Sequence, residues 1–120
     1  MKVKQLFVDA YYCSGQLDDA DVLMDVMRES VESVGAQIVN SCKTNYQPHG
    51  VTNVLVLAES HCVISTWPEY GYAAVDILLC NDSMDPMDVW VLLRKFLKPE
   101  EEEAQNFVRQ LTPPGMREKK

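Results

Sequence analysis

Paired metal-ligand spacing is missing from this sequence. Its only histidines are His49 and His61, and its four cysteines, Cys13, Cys42, Cys62 and Cys80, include no C-x-x-C pair. The patterns of zinc ribbons and dithiol redox centres are therefore excluded, and no metal is expected. Positive charge is also scarce: 11 Lys and Arg face 18 Asp and Glu, for a net charge of −7, and the basic end Arg117-Glu118-Lys119-Lys120 is short. Nucleic acid, which needs a clustered basic face, is excluded as a partner, whereas an acidic protein suits a cationic small molecule. No apolar run approaches the roughly 18 residues of a membrane span. Met1-Lys2-Val3-Lys4 opens no apolar segment of the secretory kind, so a cytoplasmic protein with reduced thiols and no membrane contact is the expectation. Internal repeats are lacking too.

What is present is a chain of 120 residues, 47% hydrophobic, of ordinary globular composition. That length is near the size at which one core is only modestly stable, so self-association is expected. Residues 1–112 read as a single domain. Pro113-Pro114-Gly115 opens a flexible tail over 113–120.

Val3 to Tyr11 mixes β-branched and aromatic residues and ends at Ser14-Gly15, the pattern of a strand and a turn. Leu17-Asp18-Asp19 then supplies a helix cap; Val22, Leu23, Val26, Met27 and Val34 fall near 3.6-residue spacing, and Gly35 closes the helix. Ala36 to Tyr46 reads as a strand broken by Pro48-His49-Gly50. The almost wholly apolar Val51 to Ala58 reads as a central strand, and His61 to Thr66 resumes extended structure. Trp67 to Gly71 is a loop packed by Trp67, Tyr70 and Tyr72. Tyr72 to Cys80 is again a strand, and Asp85-Pro86 caps a helix running to about Leu97. Glu100 to Glu103 reads as a solvated acidic run, with Asn106 to Leu111 an edge strand or short helix. This order implies an α+β fold: a two-layer α/β sandwich with a mostly antiparallel sheet and two helices on one face.

The segment Leu57-Ala58-Glu59-Ser60-His61, continuing through Thr66-Trp67-Pro68-Glu69-Tyr70-Gly71-Tyr72-Ala73-Ala74-Val75-Asp76 to Cys80, carries the chemistry. With the lead-in Gly50-Val51-Thr52-Asn53, it resembles the self-cleavage segment of the prokaryotic S-adenosylmethionine decarboxylase proenzymes. The resemblance implies a cut between Glu59 and Ser60 that converts Ser60 into a pyruvoyl group, which takes the substrate amine as a Schiff base and accepts the electrons released with carbon dioxide. It further implies a homodimer with active sites near the interface, and a product that donates aminopropyl groups for spermidine synthesis.

The chemistry of such a cut is specific. The Ser60 hydroxyl attacks the Glu59 carbonyl through a five-membered ring, giving an ester that is then eliminated; this needs backbone strain, a group to hold the oxyanion, and a base for the Ser60 α-proton. By resemblance, Thr52 stands at a processing serine, Ser65 where the family carries a processing histidine, and Cys80 at the thiol that returns a proton to the decarboxylated carbon. Glu69 matches a glutamate on the nucleoside side of the substrate, and Tyr46 an aromatic that stacks on adenine. A serine hydroxyl is not a comparable base near neutral pH. That leaves His61 or His49 to serve, or processing that is slow or absent. Two rival functions follow: the same scaffold acting on ornithine or arginine, and an unprocessed, inactive partner that regulates another subunit.

Overall fold

In the computed structural model, which describes residues 2–117, strands β1 (Lys2–Tyr11), β2 (Ile38–Asn45), β3 (Val51–Leu57), β4 (Ser60–Trp67), β5 (Tyr72–Leu79) and β6 (Glu101–Gln110) join in one sheet. Their order is β2-β3-β4-β5-β1-β6, and every neighbouring pair is antiparallel. Helices α1 (Ala20–Ser33) and α2 (Pro86–Leu97) touch each other and the same side of the sheet. The expected two-layer α+β sandwich is therefore the observed one. Among the described residues no helix is long and apolar enough to cross a membrane.

Period-two burial builds the core. Val51, Leu55, Leu57, Cys62, Ile64, Ala73, Val75, Ile77 and Leu79 all turn to the helices and meet Leu23, Met24, Met27 and Val31 of α1 and Val89, Trp90, Leu93 and Leu97 of α2. Each large side chain so buried contributes about 1.5–3 kcal/mol. The helix starts follow their caps: the Asp19 carboxylate accepts from the Asp21 and Val22 N–H groups, and the Asp85 carboxylate from Met87 N–H ahead of Pro86. Burial pushes the Cys62 thiol up to about 12 and the Cys13 thiol up to about 11, in keeping with packing roles for both.

One segment departs from the sequence expectation. The acidic run at Glu100 to Glu103 is not simply solvated, because Glu101, Glu102 and Glu103 begin β6, which pairs with β1 from Tyr11↔Glu101 to Lys2↔Gln110. Glu102 accepts from Trp90 Nε1 (2.9 Å), Arg94 Nε (2.7 Å) and Arg94 Nη2 (3.0 Å). The Arg94 bonds hold its carboxyl below the usual carboxylate range, with Trp90 adding to the effect and burial opposing it. Beyond β6 the segment expected as a flexible tail carries an exposed 3-10 turn at Pro114–Met116; its last residues, 118–120, lie outside the described residues.

The turn at Ser14-Gly15 locks β1 to the end of α2. Gly15 N–H donates to Leu97 O at 3.0 Å, and a Cβ there would lie 2.0 Å from Phe96 O and 2.9 Å from Leu97 O. These are backbone atoms of the last turn of α2, which cannot swing aside as a side chain could. Gly15→Ala is expected to lower stability by about 1–3 kcal/mol through overpacking; an unchanged urea midpoint would contradict the contact.

Candidate active site

Strand β3 ends at Leu57 and β4 begins at Ser60, with these two residues paired, so the connection is the two-residue turn Ala58-Glu59. Tight hairpin turns require a residue at positive φ, a place usually given to Gly or Asn. Here Glu59 takes it, at φ 61°, at a steric cost of about 1–2 kcal/mol. Ala58 N–H donates to Gln37 O at 2.9 Å, which anchors the turn to the segment before β2. The strained residue is thus the one whose carbonyl joins Ser60. The Ser60 hydroxyl donates only locally, to Ala58 O at 3.2 Å. Cys80 follows β5 directly and lies level with Glu59, since His61 pairs with Leu78. Glu59 and Cys80 line one cavity of about 530 Å³ with Val3, Leu78 and Arg109.

A second group assembles at the opposite end of the same sheet face. Thr52 and Ser65 are directly opposed in the β3/β4 register, with their hydroxyl oxygens 2.9 Å apart, and Tyr46 OH donates to Thr52 Oγ1 at 3.0 Å. These three line a cavity of about 410 Å³ with His49, Gly50, Trp67 and Glu69. The Pro48 to Gly50 loop is tied on both sides: Tyr46 N–H donates to Gly50 O (2.8 Å), and Gly50 N–H donates to Asp18 Oδ1 (2.7 Å). Gly50 sits at φ +110°, which a side chain would not tolerate. His49 Nε2 lies 3.5 Å from Glu69 Oε2, and both side chains are partly open to solvent at 38% and 44%.

The structure therefore divides the residues singled out from the sequence. Glu59 and Cys80 share a cavity at one end, where Ser60 follows Glu59 as the first residue of β4; Tyr46, Thr52, Ser65 and Glu69 share a cavity at the other. Ser60 and Ser65 are five positions apart on β4, about 16 Å at strand rise. Next to Ser60, His61, one of the two histidines considered for the base, enters an array whose other members the sequence did not single out: His61 Nε2 pairs with Asp76 Oδ2 (3.2 Å), Gln5 Nε2 donates to Asp76 Oδ1 (3.1 Å), and Arg109 Nη1 donates to Gln5 Oε1 (3.2 Å). Its signal was Asp76 within the apolar run of β5. Trp67 and Tyr72 do pack, with ring centroids 5.3 Å apart, but Tyr70 is 75% exposed because the single 3-10 turn Pro68–Tyr70 directs it outward. No group of three or more His, Cys, Asp or Glu among the described residues is placed to hold a metal ion.

A six-stranded layer with helices on one face has counterparts among solved structures. Over 97% of both chains, the fold matches a crystal structure of the adenosylmethionine decarboxylase from Aquifex aeolicus, with a TM-score of 0.85 and 25% identity. Residues 4–110 match the family model described as S-adenosylmethionine decarboxylase. An S-adenosylmethionine decarboxylase proenzyme of Thermosipho melanesiensis is 41% identical over 96 residues, covering 79% of this chain and 74% of that protein. One from Methanococcus maripaludis is 36% identical over 113 residues, 93% of each. The class is that of the pyruvoyl-dependent carboxy-lyases. Within it, this chain belongs to the S-adenosylmethionine decarboxylase family.

Proposed function

We propose that the chain is a self-cleaving S-adenosylmethionine decarboxylase that works as a homodimer and supplies the aminopropyl donor for spermidine synthesis. The observation that carries the reading is Glu59 at φ 61°, immediately before Ser60 and in one cavity with Cys80. A strained residue adjoining the serine raises the ground state of the bond to be broken. The Ser60 hydroxyl, held near the turn by Ala58 O, has only to swing to its own preceding carbonyl. These residues fit a pyruvoyl group at position 60, which would supply the electron sink for decarboxylation. Cys80 then delivers the proton, and the Tyr46 ring and Glu69 carboxylate bind the adenosine end. The relatives' names support S-adenosylmethionine over ornithine or arginine as substrate.

The homodimer rests on distance. Thr52 and Ser65 stand about 16 Å along the strand from their own Ser60, too far to assist its cleavage, whereas a second copy stacked face to face about a two-fold axis brings them over it. The face without helices is suited to this, for it exposes Phe7, Tyr46, Val56, Trp67 and Phe107. The test is the intact mass of the purified protein with labelled carbon dioxide release from S-adenosylmethionine, ornithine and arginine in parallel. Fragments 1–59 and 60–120, the second bearing a pyruvoyl end, and release from S-adenosylmethionine alone are expected. Release from a diamino acid alone would overturn the substrate, and an uncut, inactive chain would overturn the enzyme.

A further inference from the structure

We propose that His49, oriented by Glu69, is the general base of self-processing and acts on Ser60 of a second copy. The inference deepens the decarboxylase reading and rests on it. Elimination of the ester needs a group that accepts the Ser60 α-proton near neutral pH, and imidazole is the side chain suited to that task. The chain holds two, His49 and His61.

Their surroundings differ in kind. His61 directly follows Ser60 but is engaged in its own array: its Nε2 lies on Asp76, whose other oxygen is taken by Gln5, which in turn is held by Arg109. That array shares nothing with the hydroxyl pair. His49 lines the same cavity of about 410 Å³ as Thr52 and Ser65. Its loop is fixed by Tyr46 on one side and Asp18 on the other, so the ring is presented from an anchored backbone. Glu69 Oε2, 3.5 Å from His49 Nε2, places a carboxylate beside that nitrogen and orients the ring, so that Nδ1 is the nitrogen left to act as base. Partial exposure keeps the ring accessible to a second chain laid over the cavity.

The cavity then divides the labour. Tyr46 OH donates to Thr52 Oγ1, which shares a proton with Ser65 Oγ, a hydroxyl chain able to stabilise the oxyanion formed as Ser60 Oγ adds to the Glu59 carbonyl. Collapse of that adduct breaks the peptide C–N bond and leaves an ester and the Ser60 amine. His49 next takes the α-proton, the Cβ–O bond breaks, and Glu59 departs as a carboxylate, leaving dehydroalanine. Tautomerisation to the imine and addition of water release ammonia and give the pyruvoyl end. No oxidant or reductant is needed. Because His49 and Ser65 share one end of the sheet while Ser60 is at the other, the base comes from the partner copy.

The experiment follows precursor loss by denaturing gel and intact mass in the full-length protein. His49→Gln is expected to slow cleavage by about 10²-fold or more, and His49→Gln with Ser65→His to restore it, because an imidazole returns to the same cavity. His61→Asn should cleave as the unaltered chain does. Mixing the His49→Gln chain with the Ser60→Ala chain should cut the former, since each partner supplies what the other lacks. Cleavage of His49→Gln at the unaltered rate, or its loss in His61→Asn alone, would overturn the assignment. No cutting in the mixture would overturn transfer between copies. An unaltered chain that never cleaves would overturn the decarboxylase reading itself, whereas normal cleavage without dependence on His49 would overturn this inference alone.

Discussion

Replacing Ser60 with Ala is expected to leave the chain whole and to abolish carbon dioxide release entirely. Methyl cannot attack the Glu59 carbonyl, so neither the ester nor the cofactor derived from it can form. The fold should be untouched, because the lost hydrogen bond is the local one to Ala58 O on an exposed hairpin, and surface changes of that kind stay within about 0.5 kcal/mol. A gel showing a single uncut band and a preserved urea transition together distinguish the chemistry from the scaffold. Two bands from the Ser60→Ala chain would remove Ser60 as the source of the cofactor.

Cys80→Ala should separate processing from turnover. The thiol lies in the cavity with Glu59 but takes no part in the acyl shift, so cleavage should proceed normally. Carbon dioxide release should then fall by about 10²–10⁴-fold, the usual worth of a positioned proton donor. Cys80→Ser, with a much weaker acid in the same place, should recover little of that loss. Turnover equal to the unaltered enzyme in a fully cleaved Cys80→Ala protein would assign protonation to another group.

Much of this was legible from the chain. Strands β3, β4 and β5 follow period-two burial, with Cys62, Ile64 and Thr66 alternating against His61, Val63 and Ser65, and both helix starts follow Asp19 and Asp85. The opening of β6 was not legible, because Glu101 to Glu103 carry no apolar pattern. Their strand is created by the edge of β1, about ninety positions earlier in sequence, and by the reach of Trp90 and Arg94 to Glu102. The placement of the candidate site was not legible: resemblance gathers Ser60 and Ser65 into one function, whereas strand rise puts them at opposite ends of β4. The φ of Glu59 has no signature either, since nothing in Glu favours the left-handed region.

Strand order would give the molecule cut as proposed a property the uncut chain lacks. A cut at residue 59 leaves β1, β2 and β3 in one piece and β4, β5 and β6 in the other, yet β1 is inserted between β5 and β6. The pieces are interlocked, with β3 against β4 on one side and β1 clasped on both of its edges. They cannot drift apart without dismantling three strand pairings at once. Once dismantled, however, they no longer share a chain, and reassembly becomes a second-order encounter between two fragments that compete with aggregation. A chain cut at residue 59 would therefore be persistent but not renewable: its lifetime would be governed by how slowly the sheet opens, and a single full opening in dilute solution would end it.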